Sequence, residues 1–290
     1  MSNFRFFFIF SSFLFLFTGA TAQKTAYDSL DTGFNWPDGH RAAVCLTYDD
    51  GLDCHLDIAQ KALDDFGFKG SFYCTGMSTS LRDRMEDWRA LVSAGHELGN
   101  HTLYHPCIKA RAGRNTFDWV QPEYDLHNYT KSQLLAELSL ANTLLKAVDG
   151  NDTRTFAYTC SDYLVNGESF VEELPGLFTA ARCDGPIPSH VGMTNTYLMP
   201  SLSVADFTGA ELIAFLEEAK EKGSVAIFMF HGVGADYLKV SESAHQELLE
   251  YLDQHREVYW VDTFQQVSDH IRKQQIQGDI KKIGTEIKRN

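Results

Sequence analysis

The stretch VCLTYDDGLD, residues 44–53, starts as an apolar strand and ends in two adjacent carboxylates and a glycine. Asp-Gly is strong turn punctuation, and Asp is common in turns for local hydrogen-bonding reasons. A plain turn therefore accounts for Asp49 and Asp50 if nothing else converges on them. Two like charges this close raise each other's pKa unless something neutralises one of them. A bound cation would do so. The rest of the chain decides between the two readings.

Strand-like runs recur at 42–48, 70–76, 155–160, 178–183, 224–230 and 258–263, with a shorter candidate at 95–101. Amphipathic helical stretches separate them at 53–66, 82–94, 131–147, 208–222, 241–254 and 263–275. Thr208 and Ser241 are placed as N-caps, and Gly95, Gly150 and Gly223 as stops. This alternation predicts an α/β fold with a parallel sheet and helices outside it. About seven parallel strands in this length suit a distorted β/α barrel. Residues 103–130 break the rhythm as one long connection, and Trp119, Tyr124 and Tyr129 within it are expected to wall a substrate groove.

The chain has 290 residues, 44% hydrophobic and 13% aromatic, enough to bury a full core. Its net charge of −14 argues against nucleic acid, which selects basic faces. Residues 1–22 read as a signal peptide: Arg5, an apolar block from Phe6 to Phe17, and a small-residue cleavage site at Ala20-Thr21-Ala22. A leader (23–40), one domain (41–275) and a polar tail (276–290) follow. Export predicts a secreted or periplasmic protein, with no later run long and apolar enough to span a bilayer. The six cysteines Cys45, Cys54, Cys74, Cys107, Cys160 and Cys183 allow fifteen pairings, and no Cys-x-x-Cys supports a zinc ribbon.

Two further stretches offer chemistry. GNHTLYHP, 99–106, spaces His101 and His105 at i, i+4, which on a helical turn puts both imidazoles on one face, able to share a metal ion. Thr102 stands where a zinc protease has Glu, so that reading fails. If the strands run parallel, 42–48 and 95–100 end at one rim, and Asp50 joins the two histidines as three ligands with open positions. Successive strand residues point to opposite sides, which would turn Asp50 to the metal and Asp49 to a bound water. IFMFHGVG, 227–234, ends a buried strand at His231, well placed as a general acid.

Together TYDDG (47–51), HTLYH (101–105) and the strand-terminal His231 resemble, over about residues 40–265, the polysaccharide deacetylase family of NodB-homology carbohydrate esterases. The resemblance implies a distorted β/α barrel and a divalent metal, zinc or cobalt. It implies removal of acetyl groups from a carbohydrate, either N-acetylated amino sugars or O-acetylated xylan-like chains. It makes Asp49 the general base, Asp50, His101 and His105 the metal ligands, and His231 the general acid. Two departures stand out. The family's arginine, proline, aromatic and glycine after a strand are replaced by FAYTCSDY, 156–163, with Ala157 near the arginine position and Cys160 near the aromatic one. That arginine normally pairs with the base, so Asp49 lacks its expected partner. The second is the family's fourth motif, whose usual tryptophan pattern is absent; Asp184 in ARCDG, 181–185, is expected in its place to orient His231. The missing arginine favours an alternative, an inactive carbohydrate-binding relative; retention of all five site residues favours an enzyme.

Overall fold

A computed structural model describes residues 34–287, with side chains to residue 278. The signal peptide, most of the leader and the end of the tail lie outside the described residues. β1 (Ala42–Asp50) is followed by a π-helical turn (His55–Ala59) running into α1 (Gln60–Asp65). Then come β2 (Ser71–Cys74), α2 (Thr79–Asp83), α3 (Met85–Ser93), β3 (Glu97–Asn100), α4 (Lys131–Asp149) and β4 (Phe156–Ala157). A small hairpin, β5 (Leu164–Val165) and β6 (Glu168–Ser169), precedes β7 (Ala181–Asp184) and β8 (Met199–Ser203). The chain continues with α5 (Gly209–Lys222), β9 (Val225–Phe230), α6 (Glu242–Gln254), β10 (Tyr259–Val261) and α7 (Phe264–Ile287). Among the described residues no helix is long and apolar enough to cross a membrane.

Seven parallel strands close into a ring in the order β1-β2-β3-β4-β7-β8-β9, with β9 pairing back to β1. The expected distorted β/α barrel is therefore present, with one exchange of staves. The run at 258–263 becomes β10, which pairs only with the first residues of β1, Ala42 to Val44. The seventh stave is β8, a stretch whose Pro200 and two serines give a weak strand signal.

Alternate residues of β1 enter different cores, as a strand buried on both faces requires. Val44, Leu46 and Tyr48 pack with helix residues Leu63, Leu91, Leu216 and Leu248. Ala43 and Cys45 pack with Met199, Ile227 and the first turns of α7, through Phe264, Val267 and Ile271. Helix boundaries follow local chemistry. Thr208 and Glu211 form a reciprocal capping box, and the Ser241 hydroxyl accepts the Ala244 N–H. Gly150 and Gly223 end α4 and α5 in the left-handed conformation. α7 runs on to Ile287, so the segment read as a polar tail from 276 is helical over that length.

Register puts the functional segments at one level. Asp50 pairs with Cys74, Cys74 with Asn100, and Tyr48 with Phe230. The carboxyl ends of β1, β2, β3 and β9 thus open onto a common rim. One close contact underlies this rim: a Cβ placed on Gly99 would sit 2.3 Å from the Tyr73 ring. Gly99→Ala is expected to cost about 1–3 kcal/mol through overpacking, read as a lower urea midpoint; an unchanged midpoint would show that the ring has room to move.

Candidate active site

Asp49 and Asp50 both line a cavity of about 770 Å³ at the rim, rather than pointing to opposite sides. The reason is the backbone of Asp50, whose φ of 78° ends the strand's alternation and turns the second carboxylate back to the side of the first. A non-glycine residue held there is uncommon and is kept in place by surrounding structure.

His101 and His105 do converge, but not on a helical turn. Residues 101–106 form an irregular loop in which Thr102 and His105 have φ of 65° and 53°. Buried Asn100 sets this path: its Oδ1 accepts the Thr102 N–H at 2.7 Å, and its amide donates to Asn142 and to the Leu138 carbonyl of α4. The Thr102 hydroxyl accepts the His105 N–H at 2.9 Å. Glu137 of α4 accepts the Leu103 and Tyr104 N–H groups at 3.1 and 3.0 Å. Beyond the turn, a Cys107–Cys160 disulfide ties the long connection to the end of β4. Cys45, Cys54, Cys74 and Cys183 are free and buried.

The loop brings each histidine's Nε2 to 3.4 Å from Asp50 Oδ1. His101 Nδ1 lies 2.8 Å from the Ala157 carbonyl, so it carries the proton and Nε2 presents its lone pair. Donor atoms of Asp50, His101 and His105 all lie within 4.8 Å of one another, a set of two nitrogens and one oxygen that fits a divalent cation. Cys107 and Cys160 also lie near His105, but their sulfurs are bonded to each other and are not thiolate ligands. The second Asp50 oxygen accepts a 2.7 Å hydrogen bond from the Tyr237 hydroxyl. Burial raises the Asp50 pKa, but without a cation at the site His101 outweighs it. Burial also opposes a charged His101, but the charges of Asp49 and Asp50 push its pKa up, and its protonated Nε2 donates to Asp50 and holds the carboxyl far below the usual carboxylate range. A bound cation would take the place of that proton. Burial, reinforced by His101, draws His105 down to about 4, so it is neutral and able to ligate.

Asp49 is not without a guanidinium. Arg182 of β7, fully buried, pairs with Asp49 Oδ1 and lies over the Tyr73 ring, 4.6 Å from its centroid. Its position explains why the motif looked broken: Arg182 is the direct cross-strand partner of Ala157. The charge comes from the neighbouring strand at the same height in the barrel. The available signal was an arginine inside the apolar run FTAARC, where a buried charge needs a partner.

His231 lies at the end of β9 and lines the same cavity, with Nε2 3.9 Å from Asp50 Oδ2. His55, absent from the sequence reading, anchors it: His55 Nε2 donates to the His231 carbonyl at 2.8 Å, and His55 Nδ1 accepts the Leu52 N–H. Burial lowers the His55 pKa to about 4, consistent with this neutral tautomer. The expected Asp184–His231 hydrogen bond is not formed. Asp184 donates its backbone N–H to Ser161, and His231 Nδ1 is buried with no partner among the described residues. Of the three loop aromatics, only Trp119 faces the cavity, stacked on Phe117. Tyr124 stacks on Tyr104, and Tyr129 is buried in the core beside α4. The loop's cavity face is made instead by Arg111, Arg114, Phe117 and Trp119.

Comparison with known proteins agrees with the fold and with the family resemblance. Residues 37–174 match the family model for polysaccharide deacetylase. A Mycobacterium smegmatis protein assigned as a polysaccharide deacetylase superposes with a TM-score of 0.58 at 15% identity, covering 83% of this chain and 93% of that one. The peptidoglycan deacetylase PdaC from Bacillus subtilis gives 0.50 at 14% identity, over 83% of this chain and 96% of its own. The Xyl-CE4 domain of a multidomain xylanase from the Trinervitermes trinervoides hindgut metagenome gives 0.50 at 16%, over 81% and 91%. At these identities the likeness is one of fold. A gellan lyase from Bacillus sp is 28% identical over 169 residues, 58% of this chain, and the chain spans only 6% of that protein's length.

Removing one member of a buried ion pair strands the other. Arg182→Met is therefore expected to lower stability by roughly 3–5 kcal/mol, and adding Asp49→Asn to recover much of the loss. Chemical unfolding of the two variants measures this; a double variant no more stable than the single would mean that Arg182 acts through packing on Tyr73 alone.

Proposed function

We propose that this chain, which carries a polysaccharide deacetylase domain over residues 37–174, is an exported metal-dependent hydrolase that removes acetyl groups from a polysaccharide or oligosaccharide. The observation that carries this reading is the meeting of Asp50, His101 and His105 with the Asp49–Arg182 pair and His231 around one cavity. Asp50, His101 and His105 are assigned as ligands, with zinc the ion that best suits two imidazoles and a carboxylate. The ion, when bound, supplies Lewis acidity that acidifies water and polarises an acyl oxygen.

The residues then divide the work. Asp49 accepts the proton of the attacking water; Arg182 pairs with its carboxylate and fixes its orientation. His231 projects into the cavity from the opposite side of Asp50 and donates a proton from Nε2 to the departing amine or alcohol. His55 holds the His231 backbone in place. Tyr237 fixes the Asp50 carboxylate through Oδ2 and leaves Oδ1 for the histidine side. The backbone near Cys160, on the cavity wall with φ of 52°, is the assigned donor to the oxyanion. Arg182 also removes the sequence argument for an inert relative, since the base has its cation.

The test is acetate release from a panel of N- and O-acetylated glycans, with metal, after chelation, and after zinc is restored. Release that is lost on chelation and regained with zinc is expected; release indifferent to metal, or none from any substrate, overturns the reading. Asp49→Asn is expected to keep the metal and lose about 10²–10⁴-fold in activity. Tyr237→Phe is expected to weaken zinc binding by about 10- to 100-fold, measured by competition with a chromogenic chelator. An unchanged affinity would leave Tyr237 with no part in holding Asp50.

A further inference from the structure

The wall of the cavity beside His105 carries a positive charge that the deacetylation chemistry does not use. Arg111 and Arg114 line the cavity there, and among the described residues no lysine does. Both arginines approach one carboxylate, Asp162, whose side chain is fully buried. Arg114 saturates it: Nη1 donates to both Asp162 oxygens at 3.1 Å, and Nη2 donates to Oδ2 at 3.2 Å. Arg114 also donates to the carbonyls of Cys160 and Ile108, and its guanidinium lies 4.1 Å over Phe117. The Ile108 N–H takes up Asp162 Oδ2 as well, at 2.8 Å. Arg111 adds only one contact, Nε to Oδ1 at 3.3 Å, and remains more than a third exposed.

Two guanidiniums against one carboxylate leave one unit of positive charge at this wall. Asp118, the acid on the same stretch of loop, does not line the cavity. The other carboxylates of the cavity have their own settings: Asp49 pairs with Arg182, Asp53 with Arg84, and Asp50 with the histidines. Asp184 and Asp236 face it from β7 and from the loop after β9. The surplus sits beside a shelf suited to a sugar ring. Phe117 and Trp119 are stacked with centroids 5.4 Å apart, and Trp119 lies 5.9 Å from the His105 ring. Arg114 lies over Phe117 and shares Asp162 with Arg111, so a ring stacked on Trp119 next to the metal ligands would lie on the same cavity wall as the Arg111 guanidinium. A guanidinium matches a carboxylate in two parallel hydrogen bonds, which a hydroxyl cannot do. The chain's net charge of −14 does not forbid an acidic ligand. At about 0.15 M ionic strength charges beyond about 8 Å are screened, so the local pair decides.

We propose, building on the deacetylase reading, that Arg111 forms a subsite for a carboxylate on the glycan, so that the natural substrate is an acetylated acidic carbohydrate. The carboxylate belongs either to a uronic acid or to an acidic ether substituent on an amino sugar. The experiment measures binding by calorimetry to the Asp49→Asn protein loaded with zinc, so that ligand is not consumed. Probes are acetylated oligomers of equal length: a glucuronate-bearing xylan oligomer, a muramic-acid-bearing oligomer, the methyl ester of each, and a neutral chitin oligomer. One acid is expected to bind at least about tenfold more tightly than its methyl ester, with the margin shrinking as salt rises. Which acid does so identifies the source of the carboxylate. Arg111→Gln is expected to reduce the acid-to-ester ratio about tenfold, and Arg111→Lys to retain part of it. Equal affinity for acid and ester in the unaltered loop, or a ratio unmoved by Arg111→Gln, overturns the proposal. Acetate release by the protein with Asp49 intact is scored separately. Acid preference without release would sink the deacetylase reading alone, and release without acid preference would sink the subsite alone.

Discussion

Two carboxylates on consecutive residues of a buried strand are tenable only if each meets positive charge. Asp49 and Asp50 meet it from different directions. Arg182 reaches Asp49 from across the barrel, and two histidines close on Asp50, where a divalent cation would complete the neutralisation. Nearly every unusual feature near the rim serves one of these two encounters. The left-handed backbone at Asp50, Thr102 and His105 is of this kind, as are the buried Asn100 and Glu137 that hold the histidine loop. Such strain and buried polarity cost stability and persist where surrounding structure determines them.

The barrel supplies the precision. Its lower interior is filled by Ala43, Cys45, Met199, Ile227 and the first turns of α7, so β1 is fixed along its length. Parallel pairing then delivers Asp50, Asn100 and His231 to one level without any long connection having to find it. The long connection after His105 does separate work. Pinned by the Cys107–Cys160 disulfide and the Arg114–Asp162 cluster, it forms the wall against which a ligand would lie. A rigid ring carrying the reacting groups and a tethered loop shaping the groove is an arrangement in which specificity changes without disturbing chemistry.

The elements that local chemistry specifies were legible in the sequence. Capping at Thr208 and Ser241, the glycine stops, and six of the seven barrel staves follow from side chains near in the chain. What escaped depends on partners distant in sequence. β8 is a strand because β7 and β9 flank it, not because MPSLS favours one. Arg182 was overlooked because a motif is a spacing along one strand, whereas a cavity accepts the same charge from the strand beside it. The i, i+4 histidines suggested a helix, yet a turn with two left-handed residues satisfies the same spacing, and Asn100, Thr102 and the distant Glu137 make that turn favourable. The family resemblance pairs Asp184 with His231; in space the Asp184 backbone is tied to Ser161 instead.

The central claim is that Asp50, His101 and His105 hold a divalent cation next to a base neutralised by Arg182. Anomalous scattering at the zinc edge, from crystals of the protein grown with zinc, tests it most directly. The account predicts one strong peak in contact with Asp50 Oδ1 and the Nε2 atoms of both histidines, with Asp49 still paired to Arg182. Zinc bound elsewhere with no peak at this cluster, or a peak held by Asp49 instead of Asp50, would contradict it.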